Sequence, residues 1–409
     1  MGERLVATFE LEPTGSARAL AVEESTGTEA IPAEMWARVG GEVLSDEGGR
    51  AVIAWPWRNW GANIPQLMAS VLVGEGCETA RFTRCRLVAL EWPEELIAGL
   101  GGGPRFGLEG VRALLGHGQG DLPTDGVGAR STVSATADDR RPHPLLGGIV
   151  KPSLGLEPDE VAATAAALAR GGCDLIKDDE LLADPDWCPQ AERIPAVAAA
   201  LAAVGRPVLY AANISGPVDS LLHRAAAAVE AGATAIMVNA FATGIDAVRA
   251  VAAAGFGVPV LAHRVGAGPI VRNPEVGVDG SVLCELTRIA GADLVQIGGF
   301  GGKLFDTHDE VARNLAACRR PLAGGAVRVP VPVNGGGVWA GSTPTVLAAA
   351  GLDVMLLLGM GAYEHPGGPE AGARSVKQAI DAVTAGQALD DAASSAPDLA
   401  AALAHFGAR

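Results

Sequence analysis

Five times in its C-terminal two-thirds the chain closes a helix-like run on the same kind of phrase: GGCD (171–174), AGAT (231–234), AGFG (254–257), AGAD (290–293) and AGLD (350–353). Glycine ends a helix in the left-handed conformation and hands the chain to the next element. A short β-rich apolar run follows each phrase. Counted from about residue 145 there are eight such runs: LGGIVKP (146–152), DLIKDD (174–179), PVLYAANI (207–214), AIMVNAF (235–241), VPVLAHR (258–264), DLVQIGG (293–299), VRVPVPVN (327–334) and DVMLLLG (353–359). Ala-rich amphipathic stretches separate them, for example EPDEVAATAAALARGG and PVDSLLHRAAAAVEAGA. Nearly continuous apolar strands belong to parallel sheets covered on both faces. Eight β-then-α units predict a (β/α)8 TIM barrel, and a doubly wound open sheet is the competing arrangement.

The first part of the chain differs. Alternating runs (LVATFELEP, AVIAWPW, SVLVGEG, TRCRLVALEWP) with few long helices predict a smaller α+β, ferredoxin-like domain over residues 1–125. The barrel is expected over 126–409, with the Gly-, Asp-, Thr- and Arg-rich stretch 118–145 as the connection. A net charge of −16 argues against nucleic acid as a partner and against anionic membranes. The six scattered cysteines form no CxxC pair and suit reduced thiols. The first residues, MGERLVATFELEP, have no apolar signal core, and no apolar stretch reaches membrane-spanning length, so a cytoplasmic location is expected.

Chemistry in such a barrel sits at the C-terminal ends of its strands. In chain order those ends carry Lys151; Lys177, Asp179 and Glu180; Asn213; Asn239; His263 and Arg264; Gln296, running into GGFGGK with Lys303; Asn334, followed by Gly335, Gly336 and Gly337; and Gly359-Met360-Gly361. Every strand delivers a polar group or a glycine turn to one rim, which predicts an active site there. Lys177 and Asp179 are two apart and share a strand face, and Glu180 follows. Two carboxylates are hard ligands that suit Mg2+, but an adjacent ammonium repels that ion. The conflict disappears when Lys177 takes up CO2 as a carbamate and becomes a third anionic ligand. An ordinary ion-pair cluster is the alternative for KDDE as a bare tetrapeptide. Glycine runs let backbone N–H groups approach a phosphate, and strands seven and eight are the usual place for one. In GGFGGKLFD, glycine hinges surround Lys303, as in a lid that closes over substrate. His263 and Arg264 are expected to bind phosphate or orient substrate, with an ion pair at the strand end as the alternative, and His365 to be structural.

Those motifs together resemble the large subunit of ribulose-bisphosphate carboxylase/oxygenase over most of the chain. GGIVKPSLGL (147–156) resembles the first-strand motif with its catalytic lysine, and GGCDLIKDDE (171–180) the signature with a carbamylated lysine and two metal-binding acids. LAHR, GGKL and GMGAYEHPGG follow in order, and ESTGT (24–28) resembles the segment that covers a neighbouring subunit's site. The resemblance implies an α+β domain before a barrel, and a homodimer with active sites shared between subunits. It implies Mg2+ held by carbamylated Lys177, Asp179 and Glu180. It also implies roles for Lys151, Lys303 and His263, for Glu23 toward the lid lysine, and for Thr28, Arg264, Gly337, Gly359 and Gly361 toward phosphate. Asn213, Gln296 and Gly336 are further candidates for substrate contact.

The departures are informative. Ser153 stands where the carboxylase has a second lysine, Glu75 where it has an asparagine, and Glu29 where it has a tryptophan. Ala267 and Gln296 replace histidines, and Gly335 replaces a phosphate-binding serine. The chain is therefore similar to the form IV, RuBisCO-like proteins that do not fix carbon. That similarity implies enolisation, isomerisation or decarboxylation of a phosphorylated ketose or sugar acid. Diketo-methylthiopentyl phosphate, methylthioribulose phosphate and an oxo-isoapionate phosphate are examples. Glu75 is a candidate added acid or base. A carboxylase with a degenerate site and a non-catalytic sugar-phosphate-binding protein are the alternatives.

Overall fold

The computed structural model describes residues 3–117 and 143–407. The N-terminal sheet is built from β1 (Arg4–Glu12), β2 (Glu42–Glu47), β3 (Arg50–Pro56) and β4 (Arg84–Glu91), paired antiparallel in the order β4-β1-β3-β2. This is the ferredoxin-like order. Strict alternation in β1 sends Leu5, Ala7, Phe9 and Leu11 to the buried face. The helix Ala17–Glu23 packs there, and Trp55 Nε1 donates to Ala21 O at 3.2 Å.

The barrel strands are β5 (Leu145–Ile149), β6 (Leu175–Lys177), β7 (Leu209–Asn213), β8 (Ala235–Asn239) and β9 (Val260–His263). After the short β10 (Val276–Val278) come β11 (Leu294–Gly298), β12 (Val331–Gly335) and β13 (Met355–Leu358). Eight of them close in the order β11-β12-β13-β5-β6-β7-β8-β9, all parallel. Each of the eight expected runs overlaps one barrel strand. Alternate residues point inward: Leu145, Leu175, Leu209, Met237, Leu294, Val331 and Met355 fill the interior. Their neighbours, such as Leu146, Ile176, Tyr210 and Ile236, pack outward under the helices.

The repeated phrases have a second use. Asp174 accepts from Leu146 N at 2.9 Å, and Asp293 accepts from Val260 N at 2.9 Å, so the acid after the helix-closing glycine staples the neighbouring strand's start. Asp293 also accepts from Phe106 N and Gly107 N, and Asp353 pairs with Arg112 at 2.8 Å. Both hold the helix Gly107–Leu114, which plugs the barrel floor with Leu108 and Val111. The expected boundary at 125/126 lies outside the described residues, as does most of the expected connection.

β10 leaves the barrel to pair parallel with β4, extending the N-terminal sheet by one strand. Arg84 makes a two-pronged contact with Glu275 (2.9 and 3.1 Å) beside it. All six cysteines are free. Among the described residues no helix is long and apolar enough to cross a membrane.

Candidate active site

The alternation of β6 sets the centre of the site. Leu175 points into the barrel and Ile176 out, so Lys177 points in and is wholly buried. Its Nζ donates to Asp178 O at 2.7 Å and lies 3.5 Å from Glu180 Oε2. Burial holds its pKa below the ordinary lysine value, against the pull of Glu180, Asp179 and Asp178. Asp179, also buried, accepts from Lys151 Nζ at 2.5 Å and from Leu181 N at 3.0 Å. Glu180 lies 3.5 Å from His263 Nε2. Burial and the nearby Lys177 keep the His263 imidazole far below its usual pKa, hence neutral. Its Nδ1 accepts from Val265 N, which leaves Nε2 to carry the proton toward Glu180.

Asp178 points the other way. Its carboxylate accepts from Arg193 Nη2 at 3.2 Å, Tyr210 OH at 2.8 Å and Asn213 N at 3.0 Å, and all four residues are buried. Nothing in the sequence singled out Arg193 or Tyr210. Asn213 differs from expectation in its role. It is fully buried, and its Nδ2 donates to the carbonyls of Asp179 and Glu180 at 3.1 Å each. It braces the acidic turn and is absent from the cleft wall. Asn239 donates to Glu180 O at 2.9 Å and does the same work.

Above this centre opens a cleft of about 330 Å³, lined by Lys151, Glu180, His263, Arg264, Gln296, Lys303, Gly335, Gly336, Gly337 and Gly359. Lys151 Nζ donates to Ser153 Oγ at 2.8 Å as well as to Asp179. Tyr363, also missed in the sequence, donates to Ile149 O and accepts from Lys151 N, both at 2.8 Å, fixing the backbone under that lysine. Gln296 Oε1 accepts from Arg264 N at 3.0 Å, and the Arg264 side chain pairs with Asp306.

The lid root lies against the glycine loop after β12. A Cβ on Gly299 would fall 2.1 Å from Gly335 O, and one on Gly301 2.6 Å from Gly336 O. Phe300 N donates to Asn334 Oδ1 at 2.9 Å. Lys303 is exposed, and among the described residues it makes no ion pair. Gly361 sits behind the wall, where a Cβ would lie 2.3 Å from Val338 O. His365 bonds Asp398 O and Gly367 N away from the cleft, as a structural residue does.

Three expected site residues lie in the N-terminal domain and outside their own chain's cleft. Glu23 pairs with Arg81 at 3.1 Å, Thr28 accepts from Ala30 N at 3.1 Å, and Glu75 starts the helix Glu75–Glu78. Their neighbour Glu24 was missed. It is buried, accepts from Gly76 N at 2.7 Å, and burial pushes its pKa up to about 8.

The donor set fits a divalent cation on one condition. Among the described residues no three His, Cys, Asp or Glu side chains gather as a metal site. Asp179 and Glu180 each hold a lysine ammonium, Lys151 at 2.5 Å and Lys177 at 3.5 Å. Each acid thus already takes a positive charge, and with carbamylated Lys177 supplying a third hard oxygen the set would suit a divalent cation.

The family model described as "Ribulose bisphosphate carboxylase large chain, catalytic domain" matches residues 133–406. A ribulose bisphosphate carboxylase-like protein of Allochromatium vinosum is 36% identical over 364 residues, 88% of this chain and 74% of the relative. The 3-oxo-isoapionate-4-phosphate transcarboxylase/hydrolase of Xanthobacter autotrophicus is 31% identical over 98% of this chain and 99% of its own. The solved rubisco-like protein MtnW of Alicyclobacillus acidocaldarius superposes with a TM-score of 0.81 at 30% identity, covering 98% of this chain and 99% of the other.

Proposed function

The chain belongs to the ribulose bisphosphate carboxylase large-chain family, and from that premise we propose that it is a RuBisCO-like, Mg2+-dependent enzyme. It enolises, isomerises or decarboxylates a phosphorylated ketose or keto acid, without net CO2 fixation. The observation that carries this reading is the Lys151–Ser153–Asp179 cluster. One ammonium faces the cleft, and the second position of the motif is a hydroxyl that accepts from it at 2.8 Å. A single positioned amine suffices to move a proton at carbon, while the second lysine of the carboxylase motif is missing. The named activity of the Xanthobacter relative, on an oxo-isoapionate phosphate, supports a sugar-acid or ketose phosphate as the substrate class.

Lys177 as its carbamate, Asp179 and Glu180 would hold Mg2+, which when bound polarises a substrate carbonyl and stabilises the enediolate. Lys151, in its neutral amine form, or the Lys177 carbamate takes the proton from carbon. Neutral His263 offers its Nε2–H across the cleft. Lys303 closes on the lid and meets the phosphate beside the backbone of Gly336, Gly337 and Gly359. Thr28, Glu23 and Glu75 would come from a second copy of the chain.

Incubation with Mg2+ and bicarbonate in D2O, with a panel of ketose and keto-acid monophosphates and ribulose bisphosphate, tests this by proton NMR. Exchange or conversion of one monophosphate, with no carboxylation of the bisphosphate, is the expected result. Carboxylated product, or no change in any compound, would overturn it.

A further inference from the structure

Arg264 stands at the end of β9, where a cation for substrate is expected, yet its charge is already answered. Its guanidinium makes two parallel hydrogen bonds to Asp306, Nη1 to Oδ2 at 3.0 Å and Nη2 to Oδ1 at 2.9 Å. The pair is sheltered: the Arg264 side chain is 17% exposed and that of Asp306 4%. Gly298 leaves room for it, because a Cβ there would lie 2.7 Å from Arg264 Nη1 and 2.9 Å from Asp306 Oδ2. The Phe305 ring sits 5.6 Å from the same guanidinium. Forked pairs of this kind are among the stronger charged contacts, and shelter from water strengthens them.

An anion approaching Arg264 therefore meets a neutral pair. To bind, it must displace a carboxylate that is tethered to the same chain and present at high effective concentration. Lys303, three residues before Asp306 on the same lid, has no such partner among the described residues and lies against Gly337. Of the three cations that line the cleft, Lys303 is thus open, Arg264 is neutralised by Asp306, and Lys151 is held by Asp179. Leu304, Phe305, Val265 and Met360 supply apolar wall.

We propose that Asp306 is a specificity-determining residue. By occupying Arg264 it confines the cleft to substrates with a single phosphate, held at the Lys303 end, whose other end is uncharged. A bisphosphate finds no second anion site. This rests on the reading of the cleft as a sugar-phosphate site.

The test is equilibrium binding of ribulose 5-phosphate and ribulose 1,5-bisphosphate, measured calorimetrically with Mg2+ and bicarbonate present. The wild-type protein is expected to bind the bisphosphate no more than about threefold more tightly than the monophosphate. Asp306→Asn should raise that ratio by about tenfold or more, through tighter bisphosphate binding, as expected when a charge pair loses one partner. Asp306→Glu keeps the charge and should keep the wild-type ratio. A ratio unmoved in Asp306→Asn overturns the inference alone. So does a wild-type protein that already prefers the bisphosphate by tenfold or more, a result that needs no variant to fold. Binding of neither phosphate to the wild type overturns the sugar-phosphate reading, and the inference with it.

Discussion

Asp178 turns away from the cleft while Asp179 turns toward Lys151 on its wall, because the chain keeps the alternation of β6 just past the strand's end at Lys177. The two acids therefore answer to different physics. Asp178 is fully buried against Arg193, itself fully buried, and removing its charge strands a guanidinium in the interior. Asp178→Asn is expected to destabilise the protein by about 3–5 kcal/mol, read from denaturant unfolding, as for other broken buried pairs. Lys151→Ala acts on chemistry instead. It should lower kcat by about 10²- to 10⁴-fold, the usual worth of a positioned acid–base group, while the unfolding midpoint stays near that of the wild type. The acidic turn was legible because charge at the end of an apolar run needs a reason. Arg193, Tyr210 and Asp306 were not, because each acquires its meaning from a partner 15 to 42 residues away in the chain. Asn213 was assigned to substrate for the same cause: its position at a strand end is local information, while the carbonyls it braces are not.

Strands and loops show a similar division. Eight strands could be read because each is an apolar run punctuated by glycine, a signal carried within about ten residues. How the lid seats on the loop after β12 is a contact between distant elements and left no such signal. Gly299 marks that contact. Its Cβ would meet Gly335 O at 2.1 Å, and backbone cannot swing aside as a side chain can. Gly299→Ala should reduce kcat by about 10²-fold by misplacing Lys303, an effect of the size a 1 Å displacement produces. A Gly299→Ala variant that keeps wild-type kcat would contradict that cause.

A second coupling joins the helix Ala17–Glu23 to the turn Gly74–Gly76 through Glu24. Its pKa rises from 4.5 to about 8 on folding. A raised pKa means the folded state prefers the proton. The contribution is whole below pH 4.5, declines as pH climbs toward 8, and is gone above it. Glu24→Gln cannot ionise and escapes that decline. Its melting temperature should match the wild type near pH 5 and exceed it by about 2 °C or more at pH 8.5.

At the scale of the whole molecule, the proposed site would fall in two halves that do not meet within one chain. The cleft at the barrel mouth is lined by Lys151, Glu180, His263 and the Lys303–Asp306 segment, while Glu23, Thr28 and Glu75 sit on the N-terminal domain outside it. That domain is fixed to its own barrel by β10 and by the Arg84–Glu275 contact, so it cannot fold over its own cleft without breaking both. The proposed two-fold dimer would resolve the difficulty by presenting each N-terminal domain to the other barrel. Complementation tests this more sharply than a measured mass. Lys177→Ala disables a barrel and Glu75→Ala disables an N-terminal contribution, so each homodimer should be inactive. Co-expressed as a random mixture, half the dimers are mixed, and in each of those one of the two sites combines an intact barrel with an intact N-terminal domain. Activity should then return to about a quarter of the wild-type level. If each site were built within one chain, every chain in the mixture would carry a defect in its own site and no activity would return. Recovery near a quarter would place Glu75 in the partner's cleft, whereas an active Glu75→Ala homodimer would remove Glu75 from the chemistry altogether.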